Sequence, residues 1–151
     1  MKELKEKDIV EYIVNNWDKF FEGTEFVKTE FTLRDFRVDI FASFPVDLKE
    51  LGLREKSYPV KASIFFEVKW KSNMRDLLFE LKKQIAFRDW YINYGKAYCE
   101  LCVISDEYDK HMVDFMVENE ITMFKIDIQD DDLSTMTISE YIPIKSIKEE
   151  E

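Results

Sequence analysis

The apolar positions of this chain change period along its length, and the changes mark out its elements. Ile9, Val10, Ile13, Val14, Trp17, Phe20 and Phe21 recur at helical spacing, which predicts one amphipathic helix over residues 4–21 with Gly23 as its C-terminal cap. Asp8-Ile9-Val10-Glu11 reads as a capping box, with Glu11 reaching back to the Asp8 backbone. Residues 26–33 and 36–44 then alternate as two strands joined by a short turn at Arg34-Asp35. Residues 45–59 are polar and hold two prolines and Gly52, a loop with a short helix at 46–51. A third strand follows at 60–70.

Ser72 or Asn73 caps a long helix running to about residue 94, with Leu77, Leu78, Leu81, Ile85 and Tyr91 on its apolar side and Gly95 as its stop. Residues 97–104 are apolar on both faces, as in a strand covered on both sides. A helix at 108–119 and a strand at 121–128 complete a crossover unit that favours parallel neighbours. The order α-β-β-β-α-β-α-β specifies a single α/β domain over 1–128, with a central mixed sheet flanked by helices. Residues 129–151 form an acidic C-terminal extension with room for one more strand near 135–144.

Composition narrows the function classes. Three Gly make a phosphate-cradling loop improbable, and neither a Walker A loop nor a G-x-S-x-G elbow occurs. Cys99 and Cys102 are spaced C-x-x-C without a second pair or a suitable His, so they read as core thiols on opposite faces of a strand. His111, the sole histidine, reads as a surface residue, and Trp17, Trp70 and Trp90 as core. No apolar run suits a membrane, and the charged start resembles no signal peptide, so a cytoplasmic location without membrane association is expected. The net charge of −10 is uneven: residues 1–58 carry −3 and 99–151 carry −11, whereas 59–98 hold 8 basic and 4 acidic side chains. The middle third is therefore the only basic region.

That basic third contains Phe65-Phe66-Glu67-Val68-Lys69-Trp70-Lys71, a buried strand with two charges on one face. Glu67 and Lys69 lie about 7 Å apart along it and are costly to bury unless they pair or hold something. Asp39 sits within the apolar run of the second strand, either holding something there, facing solvent or pairing with Arg37.

On these residues the chain resembles the PD-(D/E)XK, or restriction-endonuclease-like, nuclease superfamily, in a layout like that of archaeal and viral Holliday-junction-resolvase-like members. Asp39 would be the motif Asp and Glu67-Val68-Lys69 the D/E-x-K. Glu11 stands where some members carry an acid on the first helix, and Gln84 where RecB-like branches carry a polar residue on the long helix. Val38 replaces the family's Pro, and Arg88 stands where the RecB-type helix has Tyr.

The resemblance implies a metal-dependent nuclease acting on nucleic acid, DNA ahead of RNA. Asp39, Glu67 and the Val68 carbonyl would bind Mg²⁺ or Mn²⁺, and Lys69 would activate water. Glu11 would ligate a second ion or hold a water, and Lys71, Arg75, Lys82, Lys83 and Arg88 are candidate phosphate contacts. A homodimer is left open. Two alternatives stand beside this reading: an inactive nuclease-like fold serving protein interaction or regulation, and an unrelated α/β domain in which Glu67 and Lys69 form a structural ion pair, with Asp39 far away.

Overall fold

A computed structural model of the chain describes residues 3–94 and 97–143. The expected stop at Gly95, the end of a last strand at Ile144 and the closing acids at 149–151 lie outside the described residues. In chain order the elements are α1 (Glu6–Asn15), α2 (Trp17–Phe20), β1 (Glu25–Leu33), β2 (Phe36–Asp47), β3 (Pro59–Lys69), a 3₁₀ turn (Met74–Asp76), α3 (Leu77–Tyr94), β4 (Cys99–Ser105), α4 (Lys110–Glu118), β5 (Thr122–Gln129) and β6 (Asp132–Glu140).

The strands form one six-stranded sheet in the order β1-β2-β3-β4-β5-β6. β1, β2 and β3 pair antiparallel, β3–β4 and β4–β5 are parallel, and β6 returns antiparallel to β5. The two parallel steps are the ones bridged by helices, as a parallel connection requires. This is the single α/β domain with a mixed sheet that the hydrophobic pattern predicts. β6 joins the sheet through a two-residue turn whose residues Asp130 and Asp131 both have positive φ, the backbone of a tight hairpin.

Each face of the sheet has its own core. Under α1 and α2, Ile9, Ile13, Trp17 and Phe21 meet Ile40, Phe66, Val68 and Ile104. Under α3 and α4, Leu77, Leu81 and Met116 meet Val38, Phe65, Leu101 and Val103. The alternation read along β3 is therefore realised, with Val68 and Trp70 packed on the α1 side. Cys99 and Cys102 are buried, free and in different cores, and burial holds the Cys99 thiol up at about 12.

Three expectations change. The first helix breaks at Asn16, whose side chain donates to the Tyr12 carbonyl (2.9 Å), competing for the helix's own acceptor. The helix expected at 46–51 is absent because β2 continues to Asp47, and the Asp47 carboxylate closes a turn by accepting the Lys49 and Tyr58 N–H groups (2.9 and 2.8 Å). Of the three tryptophans only Trp17 and Trp70 are core, while Trp90 is 44% exposed. No helix among the described residues is long and apolar enough to cross a membrane.

Phe66 joins β3 to the helical layer through rings whose centres lie 5.6 Å away at Trp17 and 4.9 Å away at Phe21. Phe66→Ala is expected to cost about 3–5 kcal/mol of unfolding free energy, read from chemical denaturation; a loss under 1 kcal/mol would show that this layer relaxes around the cavity.

Candidate active site

β2 and β3 are paired from Asp47↔Pro59 to Ile40↔Phe66. The next residues in that register are Asp39 and Glu67, so the two acids are cross-strand neighbours. At this point β2 also changes face: Val38 packs on the α3 side and Ile40 on the α1 side. On the other flank Asp39 stands opposite Glu30, between the pairs Thr29↔Ile40 and Phe31↔Val38, and Glu30 has φ +48°. A left-handed non-glycine residue in mid-strand is uncommon and costly. Beyond Ile40 a side chain takes over from the ladder: the Asp39 carboxylate accepts the Val68 N–H at 2.8 Å.

Glu67 is 6% exposed. Its Oε1 accepts a hydrogen bond of 2.8 Å from Nε2 of Gln84, which is itself fully buried on α3. Burial first, and the Asp39 charge second, push the Glu67 carboxyl up to about 9; the two acids share a hydrogen bond, and Glu80 adds further repulsion. Two carboxyls in one weakly solvated spot cannot both ionise cheaply, so one retains its proton until a positive charge arrives. Oε1 of Gln84 has no hydrogen-bond partner, one more acceptor turned into the same buried region.

The remaining positions divide. Lys69 shares the Glu67 face by strand alternation and makes no ion pair among the described residues. The structural-ion-pair alternative, with Asp39 remote, therefore does not describe this fold. Glu11 is not the capping residue: the Lys5 N–H goes to the Asp8 carboxylate at 2.9 Å instead. Glu11 is exposed and lines a cavity of about 530 Å³, together with Glu30, Asp39 and Val68, between α1 and the sheet.

Among the proposed phosphate contacts, Lys71, Arg75 and Lys82 are exposed. Lys83 holds the Asp35 carbonyl at 2.9 Å. Arg88 is buried, and its guanidinium donates to the Asn119 carbonyl at 2.7 Å beyond the end of α4, which commits it to packing.

Sequence reading passed over Glu80 and Glu30. Glu80 stands four residues before Gln84, on the same helical face, and accepts the Arg37 N–H at 3.4 Å. That spacing was a usable signal; the bend at Glu30 left none. No cluster of three or more His, Cys, Asp or Glu side chains suited to a metal occurs among the described residues. A cation here would rest on Asp39 and Glu67, with backbone oxygen and water completing the shell. That donor set suits a hard ion that keeps its waters.

No family model matches the chain, and no curated protein matches it in sequence. Among solved structures it is similar to a chain of one described as "Structure of EndoMS-dsDNA2 complex", with a TM-score of 0.57 and 12% identity over 81% of this chain and 46% of that one. This chain thus spans a little under half the length of its structural neighbour. The likeness is one of fold: a single α/β domain with a mixed sheet flanked by helices.

The Glu67 carboxyl fixes a pH response. Folded, it keeps its proton to about 9; unfolded, it releases it near 4.5. The folded chain therefore binds more protons across that window, and metal-free stability falls as pH rises through it. Denaturation midpoints measured from pH 4.5 to 9 are expected to fall more steeply in wild type than in Glu67→Gln; parallel curves would show that Glu67 ionises normally.

Proposed function

We propose that this chain is a metal-dependent nuclease that hydrolyses phosphodiester bonds of nucleic acid, DNA ahead of RNA, of the PD-(D/E)XK type. The observation that carries this reading is the meeting of Asp39 and Glu67 at the point where β2 parts from β3, with Lys69 two residues along the same strand face. A buried pair of acids is costly, and a cation between them would offset that cost by replacing the proton that Glu67 otherwise keeps.

In this reading Asp39, Glu67 and the Val68 carbonyl hold Mg²⁺ or Mn²⁺. The bound ion supplies charge neutralisation at the scissile phosphate and help for the departing oxygen. The chain's own residues do the rest. Asp39 is positioned by the Val68 N–H, and Gln84 fixes the rotamer of Glu67. Lys69 orients the attacking water, and its ammonium stabilises charge as it develops on the phosphate. Glu11 faces the same cavity as Asp39, placed to hold a further water or a second ion. The dsDNA of the structural neighbour supports a nucleic-acid substrate.

Lys69→Ala is expected to lower Mg²⁺- or Mn²⁺-dependent cleavage of labelled DNA and RNA substrates by about 10²–10⁴-fold, with an unchanged circular dichroism spectrum and retained Mn²⁺ binding. No cleavage of any substrate by wild type, together with no Mn²⁺ binding, would favour the inert, interaction-module reading of the same fold.

A further inference from the structure

α3 carries two stripes with different fates. Leu77, Leu81 and Gln84 turn inward and are buried. Phe79, Lys82, Lys83, Phe87 and Trp90 recur at helical spacing on another side, where a solvated helix would carry polar residues. Phe79 is 68% exposed and Trp90 44%. With Arg34, from the turn between β1 and β2, this stripe lines a second cavity of about 530 Å³.

Cations and rings are interleaved there. The Arg34 guanidinium sits 4.7 Å from the centre of the Trp90 ring and 5.9 Å from that of Phe87. The Lys83 ammonium lies 4.4 Å from the centre of the Phe79 ring. Lys82 is exposed beside them. Arg34, Lys82 and Lys83 stand against Asp35 and against Glu80, which pairs with Lys83 at 3.9 Å, so the groove keeps a positive balance in a chain whose net charge is −10. Phe87 packs on Phe36 and Phe65, but packing does not call for the exposed rings of Phe79 and Trp90, and an anionic ligand with flat apolar faces matches both the rings and the cations.

We propose that this groove binds an unpaired nucleic-acid strand, its bases stacking on Trp90 and Phe79 and its phosphates lying against Arg34 and Lys82. Stacking of this kind requires a base whose face is free, which a closed duplex does not offer. The inference deepens the nuclease reading and rests on it for its biological sense: the groove supplies the strand that the site would cut. The two adjoin. Lys83 ties α3 to the hairpin at Asp35, and the next residue, Gln84, reaches Glu67. From Phe36, at the groove, to Asp39 is three strand residues, about 10 Å. The preferred substrate is then single-stranded, or a duplex with a frayed, bulged or branched segment.

Binding is measured in EDTA, so that cleavage plays no part. Trp90 is the solvent-exposed tryptophan, with Trp17 and Trp70 buried, and it reports directly. Single-stranded DNA and RNA are expected to quench its fluorescence, and a blunt duplex of the same sequence to leave it unchanged. Trp90→Ala and Phe79→Ala are each expected to weaken single-strand binding, read by anisotropy, by about 10-fold or more, with Trp90→Phe retaining most of it. Lys82→Glu is expected to weaken binding and flatten its salt dependence.

Equal binding of single strand and duplex, unmoved by these variants, would overturn the groove. If wild type nevertheless cuts in Mg²⁺, the nuclease reading survives that result. Quenching by single strands in a protein that cuts nothing would leave the groove standing and remove the nuclease.

Discussion

The structure depends on the pairing of β2 with β3 and on where that pairing stops. Up to Ile40↔Phe66 the two strands are an ordinary antiparallel ladder with apolar residues on both faces. One residue further, the ladder gives way to the Asp39 carboxylate on the Val68 N–H, and Glu67 lies beside it, nearly inaccessible to water. Two acids so placed repel in a medium that screens poorly, and the chain accommodates them by leaving a proton on Glu67. Selection for stability alone would have put an apolar residue at one of the two positions.

The rest of the fold holds this arrangement still. The aromatic cluster of Trp17, Phe21, Phe66 and Phe124 clamps β3 and β5 beneath the N-terminal helices. Gln84, fully buried, spends its amide on Glu67 rather than on solvent, and Glu80 and Lys83 tie α3 to the β1–β2 hairpin on the same side. The Glu6 carboxylate accepts the Trp70 N–H and the Ser72 hydroxyl, anchoring the start of α1 to the end of β3. A buried pair of acids needs such support, because side chains with loose partners do not hold a defined geometry.

Much of this was legible in the chain. Alternation along β3 placed Glu67 opposite Val68 in facing direction, and the helix-bridged step from β4 to β5 announced a parallel pair. The misplacement of Asp39 and Glu67 in apolar runs was itself the signal for a site, since buried charge needs a reason. What was hidden was non-local or conformational. The inversion of β2 between Val38 and Ile40 stands opposite a left-handed Glu30 in the neighbouring strand, a residue with no glycine-like signature. Asp8 rather than Glu11 capped the first helix because that helix starts a turn earlier than Asp8-Ile9-Val10-Glu11 suggested. Trp90 read as core because an aromatic at helical spacing usually is; only packing reveals which of two apolar stripes on α3 meets the sheet.

In the proposed nuclease, Asp39 and Glu67 are held together to receive a divalent ion. Diffraction from crystals soaked in Mn²⁺ at neutral pH, collected with anomalous signal from manganese, tests it most directly. A peak is expected within bonding distance of a carboxylate oxygen of Asp39, one of Glu67 and the Val68 carbonyl. A map without a peak there, with the two carboxyls still bonded to each other, would contradict it.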